Sequence, residues 1–151
     1  MKITEKLQQF IMSRRFVFIA SADRSGSPHL AIGEHIALAG ESLLVLENCF
    51  CPTTLQNIVE NPRVSVVALN LESGSGFQLT GSVVRNCDAA VRNNSSLSNS
   101  QTMQPQILTR FTVHIETVLD FSFNIHSDVP LANTSATNIA NATTVADHTF
   151  D

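Results

Sequence analysis

The passage from Pro52 to Leu71 constrains the fold more than any other part of this chain. Leu55, Ile58 and Val59 fall on one face of a helix of about two turns. Asn61 closes that helix, and Pro62, which has no N–H to give, forbids its continuation. Val64 to Leu71 then reads as strand, so the helix passes into a sheet without a linker. A helix this short is marginal in isolation and must be held against other structure. Thr53 and Gln56 have the spacing of a capping box. The interest lies in the first turn, where unpaired N–H groups and the positive end of the helix dipole collect.

Around this unit the pattern is a β-meander. Phe16 to Ala22 alternates as a strand, Asp23-Arg24-Ser25-Gly26 supplies a turn with a glycine for its left-handed position, and Pro28 opens a second strand, His29 to Leu38. Ala39 to Ser42 turns into Leu43 to Glu47, the strand before the short helix. Beyond Leu71, Ser73-Gly74-Ser75-Gly76 is a flexible loop and Phe77 to Val84 a further strand. A late run alternates Phe111, Val113 and Ile115, is interrupted, and resumes with Leu119, Phe121, Phe123 and Ile125, which predicts one bulged strand or two short ones. At the N-terminus Ile3, Leu7, Phe10 and Ile11 form the stripe of an amphipathic helix over residues 2–13, a lid or plug.

Residues 86–106, rich in Asn, Ser and Gln, read as a partly helical loop. Residues 129–151 read as a polar tail, disordered or packed on a partner subunit, after a domain spanning 1–128. The expected fold is mainly β (α+β): about six antiparallel strands in a small barrel, with an N-terminal helix and a short helix after the third strand.

Composition narrows the function classes. The net charge is −4 and both lysines, Lys2 and Lys6, lie at the N-terminus, so no basic stripe is present for nucleic acid. No run is long and apolar enough to span a bilayer, and no export signal precedes the first strand, so a cytoplasmic protein is expected. The Asn-x-Ser/Thr sequons at Asn93, Asn94, Asn133 and Asn141 then reflect composition. Cys49, Cys51 and Cys87 have the spacing of neither a disulfide framework nor a metal site. Cys49 and Cys51 read as buried apolar thiols, with a lowered Cys51 pKa at the helix start as the lesser alternative. His114, His126 and His148 receive no role.

Three motifs occur in order: Ala-x-x-Asp-x-x-Gly-x-Pro-His from Ala20 to His29, Thr-Leu-x-Asn-Ile-x-x-Asn-Pro-Arg-Val from Thr54 to Val64, and Gly-Phe-Gln-Leu-x-Gly from Gly76 to Gly81. Over residues 16–84 the chain resembles the FMN-binding split barrels related to pyridoxamine 5'-phosphate oxidase. The resemblance implies a homodimeric FMN-dependent oxidoreductase or electron-transfer protein acting on a small-molecule redox substrate or electron-transfer partner. It places the FMN phosphate at the start of the short helix, near Thr53, Thr54 and Asn57, with Asn48 reaching the phosphate or the ribityl chain. Leu30 to His35 would line the flavin, with Ala31, Ile32 and Gly33 approaching the isoalloxazine edge through their backbone and Glu34 and His35 beside them. Gln78 would contact it across a dimer interface.

One departure bears on affinity. The family commonly carries Lys or Arg where this chain has Thr53 and Thr54, and a charged donor bonds phosphate about twice as strongly as a neutral one. Arg14, Arg15 or Arg63 would have to compensate. The alternative is a split barrel that has lost FMN and serves as a binding module, or that holds haem, with His29 or His35 as axial ligand, or a deazaflavin. Nothing matches the substrate-binding C-terminal segment of the pyridoxamine phosphate oxidases, so vitamin B6 oxidation is not expected.

Overall fold

The computed structural model describes residues 3–48, 50–92, 106–124 and 129–131, with the backbone alone at 89–92 and 106. The strands are β1 (Val17–Ala22), β2 (Pro28–Leu38), β3 (Leu43–Asn48), β4 (Arg63–Asn70), β5 (Ser75–Arg92) and β6 (Gln106–Ser122). They close an antiparallel barrel in the order β1-β2-β3-β6-β5-β4. Helix α1 (Glu5–Met12) precedes it and α2 (Pro52–Glu60) is inserted between β3 and β4. This is the expected six-strand split barrel with two helices.

The two-residue period of the strands sorts the side chains. One inward row runs Ala31, Ile19, Val66, Leu79, Val118 across neighbouring strands, and the last four are buried. The adjacent outward row is Ile32, Phe18, Val67, Gln78, Leu119. Burying each large aliphatic of the inner row contributes about 1.5–3 kcal/mol.

The helices stop the two mouths. Thr4 caps α1 by accepting a bond from the Leu7 N–H, Leu7 and Ile11 are buried, and Phe10 meets the Phe77 ring edge-on at 5.1 Å. At the other end Phe50 stacks on Phe111 at 4.4 Å and Ile58 of α2 is buried. The glycines of the third motif have a packing reason. A Cβ on Gly76 would fall on the Ala68 carbonyl oxygen, and one on Gly81 on that of His114.

Several sequence expectations are corrected. The N-cap of α2 is Cys51, and Gln56 bonds Glu60 at 2.9 Å, so the Thr53/Gln56 capping box does not form. Residues 86–92 continue β5 and pair with 106–111 of β6 instead of forming a partly helical loop. The alternation fails there because β4 pairs β5 only as far as Ser82 and residues 86–88 are exposed, so no buried face selects apolar residues. In β6 the interruption is a bulge: Thr80 faces Thr117 but Gly81 faces Ile115, leaving Glu116 extra. The strand stays whole, but its parity flips, so Val118 is buried while Leu119 and Phe121 are only half-buried on the other face. Residues 93–105, Ile125, His126 and the tail from residue 132 onward, with the four sequons, lie outside the described residues.

Candidate cofactor-binding cleft

The barrel opens where β3 leaves β2. Pairing between these strands begins at Glu34, opposite Glu47, so residues 28–33 of β2 pair with β1 alone among the described residues. After Asn48 the chain turns away into α2. The Asn48 Nδ2 donates to the Ile32 carbonyl at 2.6 Å, which holds the mouth of the opening. Main-chain groups alternate along an antiparallel strand, so those of Leu30 point the same way as those of Ile32, while those of Ala31 and Gly33 face β1. The Ala31 and Gly33 side-chain positions face the barrel interior, where a Cβ on Gly33 would meet Ile19 Cδ1 at 2.9 Å.

Helix α2 lies across the end of this opening. The Asn57 Nδ2 donates to Ser21 Oγ and the Asn61 Nδ2 to the Ala22 carbonyl, each at 3.2 Å. Asn57 and Ser21 are both buried, and hydrogen bonding satisfies polar groups that would otherwise destabilise the interior. These bonds pin the far end of α2 on β1 and aim its N-terminus at β2. There the Cys51 Sγ lies 3.1 Å from His29 Nε2 and 3.4 Å from Thr54 Oγ1. The first turn, Pro52-Thr53-Thr54-Leu55, carries no charged side chain.

Cys51 is exposed, not the buried apolar thiol expected, and Cys49 lies outside the described residues. Hydrogen bonds from the Thr54 hydroxyl and N–H, with a smaller contribution from His29, bring the Cys51 thiol down from 9.0 to about 7. This matches the lesser alternative of a lowered pKa at the helix start. The two threonines also part company: Thr53 is exposed, whereas Thr54 is fully buried with its hydroxyl against the cysteine.

The remaining sequence candidates scatter. His35 is exposed at a bulge with φ 47°, and Glu34 sits half-buried opposite Glu47, whose carboxylate bonds Arg110 at 2.5 Å. Gln78 lies on the outward row with Ile32 and Phe18. The arginines do not gather at the helix start: Arg63 bonds Glu116 at 2.5 Å and Ser82 at 3.3 Å, and Arg14 stacks over the Phe10 ring. Arg15 precedes β1 at the end opposite Ser21, where α2 is pinned. The Cys51/His29 pair is the feature sequence reasoning missed. Its traces were a cysteine just before Pro52 at the helix start and a histidine opening β2.

Residues 3–118 match the family model for pyridoxamine 5'-phosphate oxidase. The chain belongs to this family. A curated relative, an uncharacterized protein of Methanocaldococcus jannaschii, is 32% identical over 71 residues, covering 46% of this chain and 47% of that protein. The match thus spans about half of the relative's length. Among solved structures, HupZ of Group A Streptococcus superposes with a TM-score of 0.59 at 13% identity, over 83% of this chain and 98% of that one. A pyridoxamine 5'-phosphate oxidase-related, FMN binding protein of Nostoc punctiforme gives 0.55 at 8% identity, over 78% and 81%. An F420 reductase gives 0.55 at 13% identity, over 77% and 98%. At these identities the likeness establishes the fold. Among the described residues no helix is long and apolar enough to cross a membrane, and no group of three or more His, Cys, Asp or Glu could hold a metal.

Proposed function

We propose that this member of the family binds FMN and works as a homodimeric oxidoreductase or electron-transfer protein. The observation that carries this reading is the opening between β2 and α2, which sets a helix N-terminus across from a strand edge that no strand covers among the described residues. The donor set suits a phosphate in kind and centres on Thr53, with its N–H and exposed hydroxyl, because Pro52 has no N–H, that of Thr54 bonds the Cys51 sulfur and that of Leu55 the Cys51 carbonyl. It lacks a cation, so the phosphate is held by neutral bonds and FMN is bound more weakly than with a Lys or Arg there. Main-chain groups of Leu30 and Ile32 face the place of the isoalloxazine, and their exposed side chains, 62% and 43% accessible, give it apolar cover. When bound, FMN supplies hydride or electron transfer, and the protein positions it and excludes water.

Ile32, Phe18 and Val67 form an apolar strip on the outer face, continued by Gln78, and Phe16 packs edge-on against Phe18 at 5.5 Å. A contiguous apolar surface of this kind suits an interface. A second copy seated there completes the flavin cleft, and light scattering at micromolar concentration is expected to give a dimer.

Titration with FMN, followed by flavin fluorescence, tests the reading. Saturable uptake of one FMN per chain is expected. Thr53→Lys should tighten binding about 5- to 10-fold, since a charged donor adds roughly 1 kcal/mol over a neutral one. No uptake by either protein would overturn the assignment. A deazaflavin in the same cleft is the second reading. The uncharged first turn of α2 favours it, and an F420 reductase shares the fold. Uptake of a deazaflavin but not FMN would select it.

A further inference from the structure

We infer that Cys51 and His29 form a reactive thiol pair, and that Cys51 is a site of oxidation by peroxides in the mouth of the cleft. The two residues, the N-cap of α2 and the start of β2, meet at 3.1 Å where the Asn57 and Asn61 bonds hold the helix across the strands. A nucleophile within hydrogen-bond reach of a base is the geometry that activates a cysteine. Around the sulfur, β2 presents His29 as the titratable group, and the first turn of α2 presents only neutral donors, the Thr54 hydroxyl and N–H. No carboxylate in that turn opposes the negative charge, and the helix dipole favours it. The thiol is exposed, so an oxidant reaches it without an opening motion.

The chemistry balances on these groups. The thiol proton passes to His29 Nε2, and the thiolate attacks one oxygen of a hydroperoxide. An S–O bond forms as the O–O bond breaks. The bonding pair leaves with the second oxygen, which takes the proton back from His29 and departs as water or an alcohol. Sulfur loses two electrons to become a sulfenic acid and the peroxide gains them; one thiol condenses with the sulfenic acid to a disulfide, releasing water, and a second thiol displaces Cys51 from that disulfide and restores it. The reaction needs no bound flavin and does not depend on the FMN assignment. Its consequence for that assignment is competition, because an ionised Cys51 occupies the helix terminus that a phosphate would use.

Alkylation by iodoacetamide, mapped to each cysteine by fragment-ion mass spectrometry, provides the test, with exposed Cys87 as internal comparison. Lowering the thiol from 9.0 to about 7 raises its thiolate fraction about 100-fold at pH 6. The weaker intrinsic nucleophilicity of a more acidic thiol takes back about 10-fold, so Cys51 should react about 10-fold faster than an ordinary thiol. His29→Gln and Thr54→Val should each slow Cys51 and move its pH profile to higher pH, with Cys87 unchanged. Hydrogen peroxide followed by dimedone should label Cys51 ahead of Cys87. Equal rates at Cys51 and Cys87, or a profile that neither variant moves, would overturn the proposal. Adding FMN separates the two assignments: protection of Cys51 supports both, a fast Cys51 without protection keeps the thiol pair and counts against the phosphate site, and a slow Cys51 removes the thiol pair whatever FMN does.

Discussion

The two halves of β2 contrast within a single strand. From Pro28 to Gly33 the even-numbered side chains, Leu30 and Ile32, face solvent and the strand pairs with β1 alone among the described residues. From Ile36 to Leu38 the even-numbered side chains pack against the core, and the strand pairs with β3 in place of β1. The bulge at His35 separates them, because one extra residue reverses which side chains face inward. One half is therefore built for stability, while the other presents an edge and an apolar surface to something outside the chain.

The largest effect should come from the sheet that covers β2 beneath the bulge. Leu46→Ala removes a fully buried side chain next to Gly33 and should lower the unfolding free energy in urea by about 2–5 kcal/mol. Leu30→Ala, on the exposed half, should change it by no more than about 0.5 kcal/mol in dilute monomer, while weakening dimerisation and flavin uptake. Comparable losses from the two would erase the contrast.

The next effect lies at the junction. His35 is the single described non-glycine residue with positive φ. His35→Val, β-branched, should cost about 1–3 kcal/mol, whereas His35→Gly should be neutral or stabilising at the same site. If Val were tolerated as well as Gly, the bulge would not require the left-handed conformation.

This contrast was partly legible in the sequence. Strand positions could be read because the closed barrel imposes alternation wherever one face is buried, as in Val64, Val66 and Ala68. The short helix and its abrupt end followed from Pro62. Alternation carries no information where a strand runs past the barrel, so residues 86–92 read as loop. The site was less legible because exposure there depends on tertiary geometry. Two adjacent threonines look equivalent, yet the helix turns Thr54 into the protein and Thr53 out of it. Asn57 looked like a ligand-binding residue, but its amide is buried holding Ser21. Nothing local announces that residues 29 and 51 meet across the opening.

The smallest effect concerns pH and applies to the open half alone. The Thr54 and His29 hydrogen bonds bring the Cys51 thiol to about 7 in the folded protein, against 9.0 for an ordinary cysteine, so between those values the unfolded state holds the thiol proton more tightly. Stability should therefore rise with pH across that window, be fully present above about 9, and be lost as pH falls through about 7. The sulfur is exposed, so solvent screening keeps the gain small. Hydrogen bonds from Ser25 and Ser27 hold Asp23 low, and Arg63 and Ser82 do the same for Glu116. Their contributions also vanish as pH falls, but in the acid range of carboxylates, outside this window. Urea midpoints measured from pH 6 to 9.5 should thus climb in the native chain and flatten in Cys51→Ser, with His29→Gln between them. A climb that persists in Cys51→Ser would assign the titration elsewhere, and the thermodynamic case for a distinctive group in the open half of β2 would fail.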